Sequence, residues 1–482
     1  MSLTESKSES ALPVSKQVSA AEAAERTLAE DTRKPARAAS PRRRAGASLF
    51  GSLVAVLVGS LILRLSAQTM GQMLGFYLES INQNYYPVSY TIQGLVIASF
   101  FIPEMLGSPI MGAMSDRYGR KLFILLGPLL GAIAVQITSI TVVLWILLFT
   151  RLLEGLSTAS SVPATLGYIS DMTSGRAKLR ARIMGLFEIT LVGGIALGAI
   201  TGGYLWKYFG APMMVLGVEI VSPAFSINGL IYLISFAVFY WGLNRSRKSR
   251  TSQAESKNYS EWQRLRHALR SPSVWRFVPA WVAIFAIIGM WTNHSPRLFT
   301  GASRFAGQTL NGSISEVQFG NGFAFLAIFF AAGVLGWSFY LNRYRKTSVM
   351  LIATVGLMIT LLAVYGLNHT ESFNGLIYYL LMAVLLLGLL TLSGFTPAAL
   401  TYLADVTESH KEDRGSIMGL YSVFLGVGQL IGTTTGGRFA DWGGIDGLLI
   451  LCAIFGLLTI WTLVALRRRE LPAPHIQLDT TR

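Results

Sequence analysis

Apolar residues run in long blocks along this chain, separated by short polar or charged turns. The block from Lys121 to Ser170 is almost wholly apolar. As one helix it would be roughly 75 Å long, against a hydrocarbon core of about 30 Å. It must cross a bilayer twice, turning near Thr138 to Thr141. The same length rule predicts twelve crossings, near residues 48–79, 88–114, 121–140, 142–169, 182–206, 224–243, 274–296, 317–341, 347–366, 374–403, 415–437 and 446–466. Composition agrees: 52% of the 482 residues are hydrophobic and 13% charged, and the mean hydropathy is +0.49, far from a soluble enzyme's average. The expected class is an all-α integral membrane protein.

The blocks also repeat. Residues Pro163 to Gly203 align without a gap to Pro397 to Gly437, 234 positions later, with 17 of 41 residues identical. The matches pair Asp171 with Asp405, Arg180 with Arg414 and five glycines with five glycines. A chain that repeats at half its length inside apolar sequence reads as two pseudo-symmetric six-helix bundles side by side, an arrangement known among secondary transporters. The expected organisation is a disordered tail over 1–46, a first bundle over 47–243, a linker over 244–272, a second bundle over 273–467 and a tail over 468–482.

Charge sets the expected orientation, because Lys and Arg stay on the cytoplasmic side of short loops. Of the 40 Lys and Arg, 34 fall in the two tails and the loops of one side. The other side holds Lys207, Arg297, Arg304 and Arg438, and Arg64 and Arg151 lie within spans. Both termini are expected in the cytoplasm and the chain in the plasma membrane as a multi-pass protein. The net charge of +15 then reflects topology and lipid contact, and basic residues interleaved with spans do not read as a nucleic-acid surface. The N-terminal tail lacks the apolar core of a secretory signal. Within the linker, Trp262, Leu265 and Leu269 recur at helical spacing, as in a helix lying along the inner membrane surface. The single cysteine, Cys452, cannot make an intramolecular disulfide.

After the second crossing the chain reads Gly112-Ala-Met-Ser-Asp116-Arg117-Tyr-Gly119-Arg120-Lys121. Gly112 allows close helix approach, Gly119 permits a tight turn, and the basic residues suit an anionic inner leaflet. Asp116 can pair with cationic groups across the cytoplasmic face, as a gate that holds one orientation of the bundles. This loop resembles that of the major facilitator superfamily, whose pattern Gly-x-x-x-Asp-Arg-x-Gly-Arg-Lys it meets at every fixed position. In the fourth crossing, Arg151-Leu-Leu-Glu154-Gly155 resembles that family's Arg-x-x-x-Gly pattern, linked there to proton coupling. Glu154, one turn on, can neutralise Arg151; the pair is open to an architectural reading as well. The fifth crossing carries Gly185, Gly194, Gly198, Gly202 and Gly203, the glycine spacing of the family's antiporter motif, with Ala199 where that motif has Pro. These glycines are expected to pack helices closely. In the second half the loop motif survives only as Asn342-Arg343-Tyr344-Arg345-Lys346, without the acid.

Ionisable residues deep in apolar spans are functional candidates by default. Arg64, Glu104, Arg151, Glu154 and Glu188 all fall in the first half. A desolvated carboxylate near the midplane can bind and release a proton in each cycle, and Glu104 and then Glu188 are the leading candidates. Arg64 is a counter-charge to Glu104 or to an anionic substrate. Trp291, Asn293, Asn321 and Gln429 offer the second half's aromatic and amide contacts for an amphiphilic molecule.

The resemblance to twelve-helix drug–proton antiporters implies proton-coupled efflux of a small amphiphilic compound by a monomer working through alternating access. Uptake of a sugar or organic anion, or a non-transporting assembly factor or sensor with the same fold, are the other readings. No nucleophile–base grouping, metal-ligand cluster or phosphate loop points to an enzyme, a metal or a cofactor.

Overall fold

The computed structural model describes residues 41–215, 217–243, 272–341, 343–371, 375–408 and 414–468. The first crossing is helix Pro41–Asn84, which begins inside the segment expected as tail. The second is broken into Tyr90–Ala98 and Phe101–Tyr118. Arg120–Ser139, Leu144–Met172 and Ala177–Phe209 follow, then Pro223–Gly242. The second half runs through Pro272–Thr300, Glu316–Tyr340, Lys346–Asn368, the broken pair Leu376–Leu392 and Phe395–Glu408, and Arg414–Arg467. The helical stretch with Trp262, Leu265 and Leu269 lies outside the described residues.

Ten helices are long and apolar enough to cross a membrane by length and composition. The last of them contains two crossings, because its helical angles fail at Gly443 and Gly444. The chain doubles back there: a side chain at Gly447 would strike the Phe439 carbonyl, which in a straight helix is two turns away. Leu144–Met172, 29 residues long and so about 43 Å, completes twelve crossings among the described residues. The turn inside the Lys121–Ser170 block falls at residues 140–143, as its length requires. Gly119 sits at φ 110° between the second and third crossings, a conformation that glycine alone adopts cheaply. Between the fifth and sixth crossings the chain forms an antiparallel pair, Met213–Val215 with Val218–Ile220. Length rules for helices do not detect it; β-branched residues flank Gly217, whose φ of 80° supplies the turn.

The glycine stripes show how the repeat folds. The fifth crossing lies against the first: a Cβ at Gly194 would sit 2.5 Å from the Arg64 Cβ, and one at Gly202 3.2 Å from the Gln72 Oε1. The eleventh lies against the seventh in the same register: a Cβ at Gly428 would sit 2.8 Å from the Phe285 Cβ, and one at Gly436 2.7 Å from the Met290 Cβ. Such distances leave no room for a side chain, so each glycine is where two helices touch. The halves meet by the same symmetry. A Cβ at Gly320 of the eighth crossing would lie 2.5 Å from the Ala199 carbonyl, and one at Gly94 of the second 2.6 Å from the Thr433 carbonyl. Thr433 is the repeat partner of Ala199.

Candidate functional site

Four of the five ionisable residues expected deep in the first half are placed around one another by the first, second and fourth crossings, with Glu188, exposed, on the fifth. Arg151 and Glu154, 6% and 3% exposed, form an ion pair one turn apart on the fourth crossing. The Arg151 guanidinium also lies 4.9 Å from the centre of the Phe100 ring. Arg151 Nε and Glu154 Oε1 remain without a hydrogen-bond partner, which is costly in a low-dielectric interior. Arg64 lines a small cavity with Ser157, Thr158, Ser161 and Tyr232. It lies within electrostatic reach of Glu104, Glu188 and Tyr232, and Glu104 within reach of both Arg64 and Arg151. Two guanidiniums thus face three carboxylates. With all five ionised one negative charge is left over, and a single proton removes it.

At one end of the molecule the Asp116 loop ties the first half to itself. Asp116 pairs with Arg120 one turn on, and Arg120 reaches Asp171 of the fourth crossing at 3.4 Å and Ser115 Oγ at 2.9 Å. Lys121 donates to the carbonyls of Tyr240 and Leu243 on the sixth crossing, both at 2.7 Å. Gly112 faces Pro163, and Arg117 lies over Tyr118. Among the described residues the Asp116 ion pair is therefore within its own half and not across to the other. The side chains of Asp405 and Arg414 lie outside the description.

The opposite end carries a cluster that sequence reading missed. Arg297, expected in a loop, stands in the last turns of helix Pro272–Thr300 and is fully buried. Its Nε donates to Glu79 Oε2 at 2.7 Å, Nη2 to the Val88 carbonyl at 2.7 Å and Nη1 to Gln93 Oε1 at 3.1 Å. Arg304 adds a second cation to Glu79 at 3.0 Å. Asp441, at the end of the eleventh crossing, accepts the backbone N–H groups of Tyr90 at 2.6 Å and Thr91 at 2.8 Å. A carboxylate of the second half thus caps the second crossing. The only signal was an acid at the end of one apolar block and an arginine just past another, which is equally the mark of interfacial anchors.

The candidate substrate contacts have these surroundings. Asn293 donates to Thr433 Oγ1 at 2.8 Å, and its carbonyl accepts from Gln93 at 3.0 Å. Trp291 stands edge-on to Phe299. Gln429 is half-buried where its backbone closes on Gly289, and Asn321 is exposed. Gln429 thus packs one turn from Asn293 on the seventh crossing.

Twelve crossings in two pseudo-symmetric halves, with a charged cluster inside the first half and a buried arginine joining the two at one end, define a solute-carrier type of membrane protein. The model of the Major Facilitator Superfamily matches residues 48–378 and 297–481, and the chain belongs to that family. Multidrug resistance protein 1 of Bacillus subtilis (strain 168) is 22% identical over 363 residues, 73% of this chain and 82% of that protein. The tetracycline resistance protein, class C, of Escherichia coli is 39% identical over 113 residues, 23% of this chain. Alignments with it and with multidrug resistance protein 2 of Bacillus subtilis span only 28% and 29% of those proteins' lengths. Among solved structures, the nucleoside transporter NupG superposes with a TM-score of 0.67 at 13% identity, over 87% of this chain and 100% of that one. A bacterial homolog of the lysosomal transporter Spinster, inward-facing and unoccupied, gives 0.68 at 13% identity over 89% and 99%. These two likenesses concern the fold.

Proposed function

We propose that the chain exports a small amphiphilic compound in exchange for protons, by rocking its two halves about the chamber of the first. The observation that carries this reading is the excess of one carboxylate among Arg64, Glu104, Arg151, Glu154 and Glu188. Charge excess of that kind is removed by a proton in one state and is available in the other, which is what coupling requires. Arg151 and Glu154 neutralise each other, so Glu104 and Glu188 share Arg64 and are the exchangeable pair, Glu104 foremost. The names of the relatives, multidrug and tetracycline resistance proteins, support an organic drug-like compound moving outward.

The direction of opening is supported by the contact of the fifth and eighth crossings. They touch at Ala199 with Gly320, whereas at Gly185, four turns nearer the Asp116 end, nothing lies within 4 Å, and Ile189 and Leu335 are each 63% exposed. The halves therefore part toward the Asp116 end, and the excess of Lys and Arg on that side supports a cytoplasmic location for it. The Glu79 cluster then closes the outer face.

The test is transport in proteoliposomes carrying a pH gradient. An inward proton gradient should drive compound out, and Glu104→Gln should abolish that uphill movement while leaving downhill exchange of labelled for unlabelled compound. Accumulation of compound driven by the same gradient, or unimpaired uphill efflux in Glu104→Gln, would overturn the reading.

A further inference from the structure

The pseudo-symmetry of the two halves fails at one buried amide. In the second half, Asn293 holds Thr433 through its side chain at 2.8 Å and Gln93 through its backbone at 3.0 Å. The glycine contacts identify the counterparts in the first half. Gln72 faces Gly202 as Asn293's turn of helix faces Gly436, Ala199 stands for Thr433 in the repeat, and Phe319 precedes Gly320 as Gln93 precedes Gly94. Both would-be partners of Gln72 are thus apolar. Its amide is 2% exposed, and neither its nitrogen nor its oxygen has a hydrogen-bond partner. An amide with all its hydrogen-bonding capacity unmet is expensive and calls for a reason.

Position supplies one. Along the first crossing Gln72, Gln68 and Arg64 follow at one-turn intervals and all face the glycine stripe of the fifth, at Gly202, Gly198 and Gly194. This polar ladder leads from the outer end to the charged chamber. One turn beyond Gln72 stands Phe76, packed on Trp206 at 6.0 Å between ring centres and edge-on to Phe319 at 6.2 Å. Phe76 and Trp206 belong to the first half, Phe319 to the second. The corresponding positions of the second half's stripe are Phe285 and Gly289, so the ladder exists in one half alone.

We propose that the seam between the first and fifth crossings is the proton's entry route from the outer face, with Gln72 as its first polar station and Phe319 as its plug. While the outer face is closed, Phe319 and Phe76 seal the seam and Gln72 is dry. When the halves part there, Phe319 leaves with the second half, water reaches the amide, and protons pass by way of Gln68 to the carboxylates around Arg64. The inference rests on the reading of that chamber as the proton site.

The test needs no drug. Protein in liposomes with a pH-sensitive dye inside is given a pH gradient, and its decay is followed. Phe319→Ala should leak protons several-fold faster than the unaltered chain, Phe319→Val by less, and adding Gln72→Leu to either should return the rate to that of the unaltered chain. If neither Phe319 variant leaks, or if the leak persists with Gln72→Leu, the route is wrong. If Phe319→Ala does not fold, Phe319→Val decides alone. A chain that leaks through Gln72 yet exports nothing keeps this inference and sinks the efflux reading, so the two fail separately.

Discussion

Arg297 shows how much a single buried side chain can join. It binds Glu79 of the first crossing and Val88 and Gln93 at the start of the second, so the two halves share one guanidinium. Removing one partner of a buried pair leaves an uncompensated charge, which costs about 3–5 kcal/mol. Arg297→Ala should therefore favour opening at this end. Spin labels at Tyr85→Cys and Glu371→Cys, both exposed positions there, would report it as a longer distance population in pulsed resonance. A double-mutant cycle of Glu79→Gln with Arg297→Gln should give a coupling of about 0.5–3 kcal/mol in the closed-to-open ratio; additive effects would show that the pair is not a lock. Asp441→Ala removes both acceptors from the first turn of the second crossing and should cost about 1 kcal/mol on the same labelled pair, while Asp441→Asn, which keeps one of the two acceptor oxygens, should cost less. None of these roles was legible in sequence, because an acid and an arginine at the ends of separate blocks acquire a partner only when the helices are brought together.

Helix contacts were more legible than side-chain pairs. The paired glycines of the repeat were expected to pack helices, and four of the first five do: Gly194, Gly198 and Gly202 against the first crossing and Gly203 against Glu316 of the eighth. Gly185 faces open space. The two cases predict opposite outcomes. Gly432→Ala would drive a Cβ into the Ala286 carbonyl and should destabilise the protein by about 1–3 kcal/mol. Gly185→Ala meets nothing and should be neutral or stabilise its helix by up to about 1 kcal/mol. Thermal unfolding of the two variants in detergent checks the contrast, and equal effects would remove the glycine stripe as a packing device. Ala199, where the family's antiporter motif has Pro, puts its carbonyl against Gly320 of the other half. The departure from the motif thus falls on the contact between halves.

At the scale of the whole molecule, two copies of one packing scheme carry unlike chemistry. The first and seventh crossings meet equivalent glycines, yet Arg64 of one stands where Phe285 stands in the other. On the proposed reading, charge at this seam of the first half and apolar contact at that of the second leave one bundle to handle protons while the other moves against it. If the excess carboxylate of the chamber is exchanged between proton and substrate, binding of an exported compound should release protons into weakly buffered solution. Glu104→Gln should bind without that release. Release that is unchanged in Glu104→Gln would move the exchange to Glu188 or elsewhere.

Much of this protein was settled by its order of residues. Apolar block lengths determine the number of crossings, because a bilayer has one thickness and a helix one rise per residue. The gap-free repeat determines that there are two like halves, and the loop at Gly112 to Lys121 and the glycines of the fifth crossing place the chain in its family. Burial of Arg151 and Glu154, with Arg64 and Glu104 half-buried in the same half, also followed from where charges interrupt apolar sequence. Partnership did not follow. Asp116 turned to Arg120 across the Gly119 turn in its own half, Arg297 left its expected loop for the core, and Gln72 stands unmatched only because Ala199 and Phe319 occupy its neighbours' places. Contacts between residues hundreds of positions apart depend on the register in which helices dock, and that register is decided by packing in three dimensions.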